Sequence, residues 1–242
     1  GDPESILLLE HLIRPPDAPG LLLLVGHRTE ELDTNPILQA LTALEGDLGA
    51  EQAFGLVEVG PLPPEEAREL AVHMLGQGDR ALDRAESIAG ESGGIPMFVA
   101  ELVRHARRQV ATTGRDAAAL TVALDDAIRA RTAELDAPGA AVLETIALDG
   151  QPLPTRVALQ AVQVPADRPR IMATLRVGRF VRLWDAGDEE VVECYHDRVR
   201  EAVVEGLSEG VIRERCAQLA RSLVDYATAA GRLDSDAERI MQ

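Results

Sequence analysis

The apolar run Leu21-Leu22-Leu23-Leu24-Val25 constrains the fold of this chain more than any other stretch. Five apolar residues in a row, preceded by Pro19-Gly20 and followed by a polar turn, are typical of a strand buried on both faces. Such strands belong to parallel sheets with helices packed against each side. In open sheets of this kind, ligands bind just past the carboxyl ends of the strands. The run therefore predicts an α/β core and a site near His27, Arg28 and Thr29.

Arg28 is the candidate ligand-binding residue at the end of this strand. A guanidinium fixed at that position suits a phosphate oxygen. An arginine in such a loop can equally form an ion pair with Glu30 or Glu31, and geometry alone favours that structural role. The sequence alone leaves both roles of Arg28 open, phosphate binding and a structural ion pair.

The pattern that follows predicts one β-α-β unit and then a series of helices. A helix over about 36–49 and a strand at Phe54–Val59 complete the unit, with room for a right-handed crossover. Because two parallel strands do not make a stable sheet, we expect further strands before Gly1. After Pro61-Leu62-Pro63-Pro64, the apolar spacing predicts helices at 65–75, 81–91, 96–108 and 121–135.

The second half of the chain has a different order of elements. Short helices at about 139–148, 155–162 and 168–177 precede two strands, 180–184 and 190–194, with a turn at Asp185-Ala186-Gly187-Asp188. Three helices and a hairpin predict a winged helix. Helices at about 197–207 and 210–230 follow, and we expect another helix of a repeat array to start at Asp234.

The charged residues exclude several classes of function. The chain has 24 basic and 41 acidic residues and a net charge of -17, which disfavours broad binding to nucleic acid or acidic membranes. No lysine occurs, so neither a phosphate-binding loop lysine nor a Schiff-base lysine is present. A local run of arginines on the predicted winged helix suggests DNA, but acidic residues at 185 and 188–190 lie beside it. We expect these arginines to be solvated or internally paired: Arg168, Arg170, Arg176, Arg179 and Arg182.

Other classes of site have little support in the sequence. Cys194 and Cys216 suit neither a disulfide framework nor a metal site, and we expect reduced thiols in a cytoplasmic protein. No apolar run approaches the roughly 18 residues of a membrane span. Asp125 and Asp126 are adjacent on a predicted helix, where side chains point about 100° apart, so we expect a solvated face and not a catalytic pair.

Several segments of the chain together resemble one protein family. The segment Gly1-Asp2-Pro3-Glu4-Ser5 resembles the stretch after the family's magnesium-binding acidic strand, and 21–28 resembles the next strand. Gly60-Pro61-Leu62 is similar to the exit of the following strand, and Gly94-Ile95-Pro96 to the family's G-x-P motif. The run 193–202, with His196-Asp197 at its centre, resembles the end of the family's winged helix. This family is the STAND class of AAA+-related signal-transduction ATPases, and the modules attached to bacterial serine/threonine kinases and large transcriptional activators are the most similar.

The resemblance implies an architecture of four parts. Residues 1–62 would be the C-terminal part of an α/β NTPase core with a parallel sheet, and 63–136 a helical lid. Residues 137–206 would be a winged-helix domain, and 207–242 the start of a tetratricopeptide-like helical region. The expected fold is therefore α/β plus mainly α.

The resemblance also implies roles for four residues. Arg28 and His196 would sense the nucleotide, Arg28 at the γ-phosphate and His196 at the diphosphate. Gly94 and Pro96 would contact the adenine. His196 could equally be a capping or packing histidine next to Tyr195, and Pro96 an ordinary first-turn proline after a Gly-Gly turn. The cofactors would be ATP or ADP with magnesium in a full-length parent, with none bound tightly by this fragment, and no catalytic or protein-bound metal residues are assigned.

The sequence departs from the family in ways that bear on activity. The phosphate-binding loop and acidic strand are absent and would precede Gly1, and Ile95 stands where the family often has Asn. We expect part of a regulatory ATP/ADP switch in a multidomain bacterial signalling protein, inactive as an ATPase alone. Its partners would be nucleotide and neighbouring kinase or repeat domains, with neither DNA nor membrane expected. Two alternatives remain open: a winged-helix DNA-binding module of a transcriptional regulator, and a structural adaptor between a kinase and helical repeats.

Overall fold

A computed structural model describes residues 7–8, 11–12, 19–20, 22–27, 38–40, 57–76, 81–113, 123–164, 168–186 and 189–230 of the 242-residue chain. The chain divides into two compact units, Gly1–Gly60 and Pro61–Gln242. Among the described residues, helices dominate and a small antiparallel sheet of three strands is the sheet present.

The first unit does not show the parallel sheet that its apolar runs predict. Residues 22–27 and 57–60 form neither helix nor strand, and Leu22 and Leu24 are each 84% exposed. A buried parallel strand needs backbone partners at its edges and helices over its faces. Residues 7–8, 11–12 and 38–40 of this unit are helical, but none of its described residues lies in a strand, so the predicted parallel sheet is not shown. Arg28 lies outside the described residues.

The second unit begins with four helices whose limits follow from proline, glycine and apolar spacing. They are α1 (Pro64–Leu75), α2 (Ala81–Ser92), α3 (Pro96–Thr113) and α4 (Leu124–Thr132). Pro64 lies at the start of α1, where its missing N–H costs nothing, and Gly76 ends the helix with a φ of 84°. The helix α3 continues past the predicted end at Arg108, because no glycine or proline interrupts residues 97–113.

A second group of elements follows in close succession. It comprises α5 (Ala137–Asp149), β1 (Leu153–Pro154), α6 (Thr155–Ala161), α7 (Arg168–Val177), β2 (Val181–Ala186) and β3 (Glu189–Cys194). Asp136 caps α5 by accepting a hydrogen bond from Gly139 N at 3.0 Å, and Gly150 ends it in the left-handed conformation. The strand β1 was not predicted, because a proline at its second position argues against a strand.

The three strands form an antiparallel sheet in the order β1-β3-β2. Val192 in the central strand lies opposite both Leu153 and Leu183. Pairing continues outward to Asp185 opposite Glu190 and Ala186 opposite Glu189. The predicted four-residue turn is therefore wrong at its first two positions, which belong to β2.

Two more helices, α8 (Asp197–Glu205) and α9 (Glu209–Ala230), end the described part of the chain. Leu219, Leu223 and Ala227 are buried on one face of α9, and this helix packs against α5 and α6. One hydrophobic core runs through the unit from Ala67 in α1 to Leu223 in α9. Within the described residues, no helix combines the length and apolar character needed to cross a membrane.

Candidate functional site

The turn between α2 and α3 holds Gly94 in a position that no other residue can occupy without strain. Gly94 has a φ of +75°, a region that costs little only for glycine. Its carbonyl accepts a hydrogen bond from Leu62 N at 2.8 Å. A Cβ added to Gly94 would lie 2.3 Å from the Leu62 carbonyl oxygen. The G-x-P turn is thus fixed against the Pro61-Leu62 segment by direct backbone contact.

A buried serine gives this turn its shape. Ser92 is 1% exposed, and its Oγ donates to Ala89 O at 2.9 Å while accepting from Gly94 N at 3.3 Å. Pro96 then occupies the first position of α3 and is exposed. Proline at this position is preset for the helix and removes an N–H that would lack an intrahelical partner. The turn therefore presents Pro96 to solvent at the start of an 18-residue helix.

His196 begins helix α8 and contacts the helix that starts at Pro96. Its Nδ1 accepts a hydrogen bond from Arg198 N at 3.2 Å, which makes the imidazole the N-cap of α8. Its ring meets the buried Phe98 ring edge-on, with centroids 4.8 Å apart at 70°. The imidazole therefore packs against a buried residue in the first turn of α3.

The tautomer of His196 follows from the cap. Since Nδ1 accepts a hydrogen bond, the neutral ring carries its proton on Nε2. Nε2 has no hydrogen-bond partner among the described residues, so it remains a donor for a ligand oxygen. Next to it, Arg198 forms an ion pair with Asp125 of α4 at 3.0 Å. That contact joins the start of α8 to the first four helices.

Asp125 and Asp126 each pair with a separate arginine. The Asp125 carboxylate forms an ion pair with Arg198 at 3.0 Å, and the Asp126 carboxylate lies 3.4 Å from the Arg129 guanidinium. The two carboxylates therefore do not work as a pair. In the part of the chain that the structure describes, no cluster of three or more histidine, cysteine or acidic side chains could hold a metal ion.

A buried ionic cluster between α3 and α4 was not predicted. Glu101 is 4% exposed and accepts from Arg131 at 2.6 Å and from Arg104 at 2.9 Å. Arg131 also donates to the Gly178 carbonyl and lies 4.3 Å from the centroid of the Phe180 ring. Burial lowers the pKa of Arg131, and the Glu101 carboxylate opposes that effect. The spacing of Glu101 and Arg104 is visible in the sequence, whereas the partnership with Arg131 depends on the fold.

Two other titratable side chains, His105 and Cys194, are mostly buried, and their environment fits a role in the fold. His105 accepts from the Gln109 amide at 2.7 Å, and burial, followed by the nearby Arg108, lowers its pKa. Burial raises the pKa of Cys194 to about 12, which keeps this thiol protonated and unreactive. Because the side chains of His105 and Cys194 are mostly buried, a ligand would reach them poorly. His196 is partly exposed and the G-x-P turn ends on an exposed proline, so together they are the better candidate site.

Of the four predicted site residues, the structure describes three. Gly94 and Pro96 lie at the start of α3, and His196 contacts Phe98 of the same helix. Phe98 was missed because a buried aromatic residue in a helix normally signals a core. Arg28 is outside the described residues and is not placed. Comparisons with protein-family models, with curated proteins and with solved structures find no match for this chain.

Proposed function

We propose that this chain is part of a regulatory ATP/ADP switch in a multidomain bacterial signalling protein of the STAND class. The observation that supports the proposal is the contact of His196 with Phe98, because it brings the imidazole to the first turn of the helix that begins at Pro96. A ring-bound proton on Nε2 and an apolar surface at a helix start suit the phosphate and the base of a nucleotide.

The elements around His196 support the same proposal. The order α5, β1, α6, α7, β2, β3, with a β1-β3-β2 sheet, agrees with a winged helix. Helices α1–α4 would form the lid, and α9 would begin the helical repeats. In this proposal Pro96 contacts the adenine, His196 binds the diphosphate, and Arg28 reports the γ-phosphate in a magnesium-loaded parent protein.

The role in signalling follows from a difference between nucleotide states. A ligand shifts a conformational equilibrium only when its contacts differ between the two states. His196 would hold ADP in a closed form, and Arg28 would respond to ATP. The chain contains no lysine, so we propose binding without ATP hydrolysis by this chain alone.

Ligand-observed NMR tests the proposal on the chain itself. With ADP at about 1 mM, saturation transfer detects sites with binding free energies near −4 kcal/mol. We expect transfer to the adenine protons, and its loss in His196→Ser. Serine preserves the N-cap of α8 but cannot reach a nucleotide phosphate. Loss of a hydrogen bond to a charged group costs about 1.5–3 kcal/mol, or roughly ten- to a hundredfold in affinity.

An exposed histidine provides the matched control. His73 lies in the last turn of α1 and is exposed, so His73→Ser should leave the ADP signal unchanged. Both variants should retain the helical circular dichroism of the wild type. Equal transfer in wild type and His196→Ser, or absence of transfer in the wild type, would contradict the proposal. ATP turnover by the purified chain that a chelator abolishes would contradict the claim of no hydrolysis.

A further inference from the structure

The β2–β3 hairpin carries opposed negative charges at the end where its two strands are joined. Asp185 lies directly opposite Glu190 in the antiparallel register, and Ala186 lies opposite Glu189. Residues directly opposite each other have side chains on the same face of the sheet, where like charges repel. These four residues, called here the hairpin end, include the exposed Asp185 and Glu190, whereas Val181 at the other end of β2 is buried. The hairpin end is therefore held less well by its own side chains than the buried end.

Two side chains from other elements hold Glu189 of the hairpin end. Arg156 of α6 forms an ion pair with one oxygen of the Glu189 carboxylate, and the Tyr226 hydroxyl of α9 donates a hydrogen bond to the other. The Arg156 guanidinium also lies 4.4 Å from the centroid of the Tyr226 ring. A cation over an aromatic ring and a hydroxyl hydrogen-bonded to a carboxylate are both favourable contacts. Arg156, Glu189 and Tyr226 thus form a clamp across α6, β3 and α9, in which each side chain contacts the other two.

The position of Tyr226 in this clamp depends on the packing of α9. Tyr226 lies three residues after the buried Leu223, so its ring packs on the core side of the helix while its hydroxyl extends outward. The neighbouring Asp225 accepts a hydrogen bond from Gln160 of α6 at 3.4 Å. Because α9 packs against α6, moving α9 away from α6 would withdraw the Tyr226 hydroxyl from Glu189.

We propose that the clamp makes pairing at the hairpin end depend on α9. With α9 packed against α6, Tyr226 and Arg156 hold Glu189, and the hairpin end stays paired. Displacement of α9 removes both the Tyr226 hydroxyl and the ring beside Arg156, which leaves the repulsion between Asp185 and Glu190 unopposed. The hairpin end is thus a two-state element whose equilibrium α9 controls. The inference is independent of nucleotide binding, because none of these contacts involves the candidate site.

Hydrogen exchange of the whole chain, without any ligand, tests the clamp. The variant Tyr226→Phe keeps the ring and its contact with Arg156 but removes the hydroxyl that binds Glu189. Amide exchange reports local opening, so peptides that cover residues 184–191 should exchange roughly tenfold faster. The control Tyr195→Phe removes the hydroxyl of the chain's only other tyrosine, which is exposed just after β3, and should leave those rates unchanged. Peptides from α5 should exchange as in the wild type in both variants.

A second substitution tests whether charge repulsion drives the opening. Asp185→Asn removes one of the two opposed charges and keeps the size of the side chain. In the Tyr226→Phe background, it should slow exchange at residues 184–191 roughly threefold, as expected for the relief of one cross-strand pair of like charges. The control Asp83→Asn, which removes an exposed carboxylate from α2, should leave exchange at residues 184–191 as it is in Tyr226→Phe alone.

The other possible results overturn the proposal. Exchange at residues 184–191 that is unchanged in Tyr226→Phe, or equally fast in Tyr195→Phe, would show that the clamp does not hold the hairpin end. An equal rise in the exchange of α5 would show that the variant loosens the whole unit and not the hairpin end. Failure of Asp185→Asn to slow exchange in the Tyr226→Phe background would show that repulsion does not open it.

Discussion

At the scale of single residues, two neighbouring glycines show how one backbone position fixes the candidate site. Gly93 and Gly94 both have positive φ, but only Gly94 lies against another backbone segment. Nothing lies within 4 Å of a Cβ added to Gly93. The two positions therefore separate the cost of the backbone conformation from the cost of close packing.

Gly94→Ala should destabilise the protein more than Gly93→Ala. Alanine at Gly93 should lower the free energy of unfolding only through the strain of the left-handed conformation, by about 1 kcal/mol. Alanine at Gly94 should cost the same conformational strain, and its methyl group would also clash with the Leu62 carbonyl. That clash would weaken the hydrogen bond from Leu62 N to Gly94 O. We expect a further loss of about 1–3 kcal/mol from this effect. Urea unfolding measures both, and equal free energies of unfolding for the two variants would refute the close contact.

His105 makes the stability depend on pH in a predictable direction. Burial lowers its pKa in the folded state below the ordinary value near 6.5. The unfolded chain therefore binds a proton more readily, and stability rises with pH where this difference operates. The contribution of His105 is complete above about pH 6.5 and is lost as the pH falls through the folded-state pKa.

The variant His105→Gln isolates this effect. Between pH 7.5 and pH 5.5, the wild type should lose more of its free energy of unfolding than His105→Gln does. The exposed His73 serves as the comparison, because His73→Gln should keep the pH dependence of the wild type. A pH dependence in His105→Gln as steep as that of the wild type would show that His105 remains free to protonate in the folded protein.

At the scale of elements, Arg131 joins three parts of the second unit. From α4, it pairs with Glu101 of α3 and contacts Gly178 and Phe180 after α7. Gly178 fits there because a Cβ would lie 2.8 Å from the Phe180 ring. The end of α7 is thus fixed by one guanidinium and one aromatic ring.

Arg131→Met should cost about 3–5 kcal/mol of stability, since it leaves the buried Glu101 without its closest partner. Arg104 donates to the same carboxylate at 2.9 Å, but its side chain is 55% exposed, against 16% for Arg131. Arg104→Met should therefore cost no more than about 1 kcal/mol. Chemical denaturation compares the two. Similar losses would mean that burial does not decide the strength of these pairs.

The helices were more predictable from sequence than the sheets. Apolar spacing, together with prolines and glycines at helix ends such as Pro64, Pro96 and Gly150, predicted the bounds of α1–α9 to within a few residues. The strand β1 could not be predicted, because its two residues include a proline and pair only through the folded hairpin. Residues 22–25 and 57–59, the described parts of the other two predicted strands, form no strand. Strand formation depends on neighbouring strands, which a local apolar pattern does not contain.

At the scale of the whole molecule, the candidate site depends on contacts between distant parts of the chain. His196 reaches the start of α3 only because the second unit has one continuous core. Residue patterns suggested Gly94, Pro96 and His196 separately, and the contact of His196 with Phe98 of α3 emerged from the structure. The role of Phe98 could not be predicted, because its burial and its contact with the imidazole are tertiary properties.

We propose that an adenine nucleotide binds at Pro96 and His196, and photolabelling tests this central claim most directly. The chain is irradiated with 8-azido-ADP, and labelled peptides are mapped by mass spectrometry. The account predicts label within residues 94–98, reduced by excess ADP and by His196→Ser but not by His73→Ser. Label that maps elsewhere in the chain, or label within 94–98 that excess ADP fails to reduce, would contradict it.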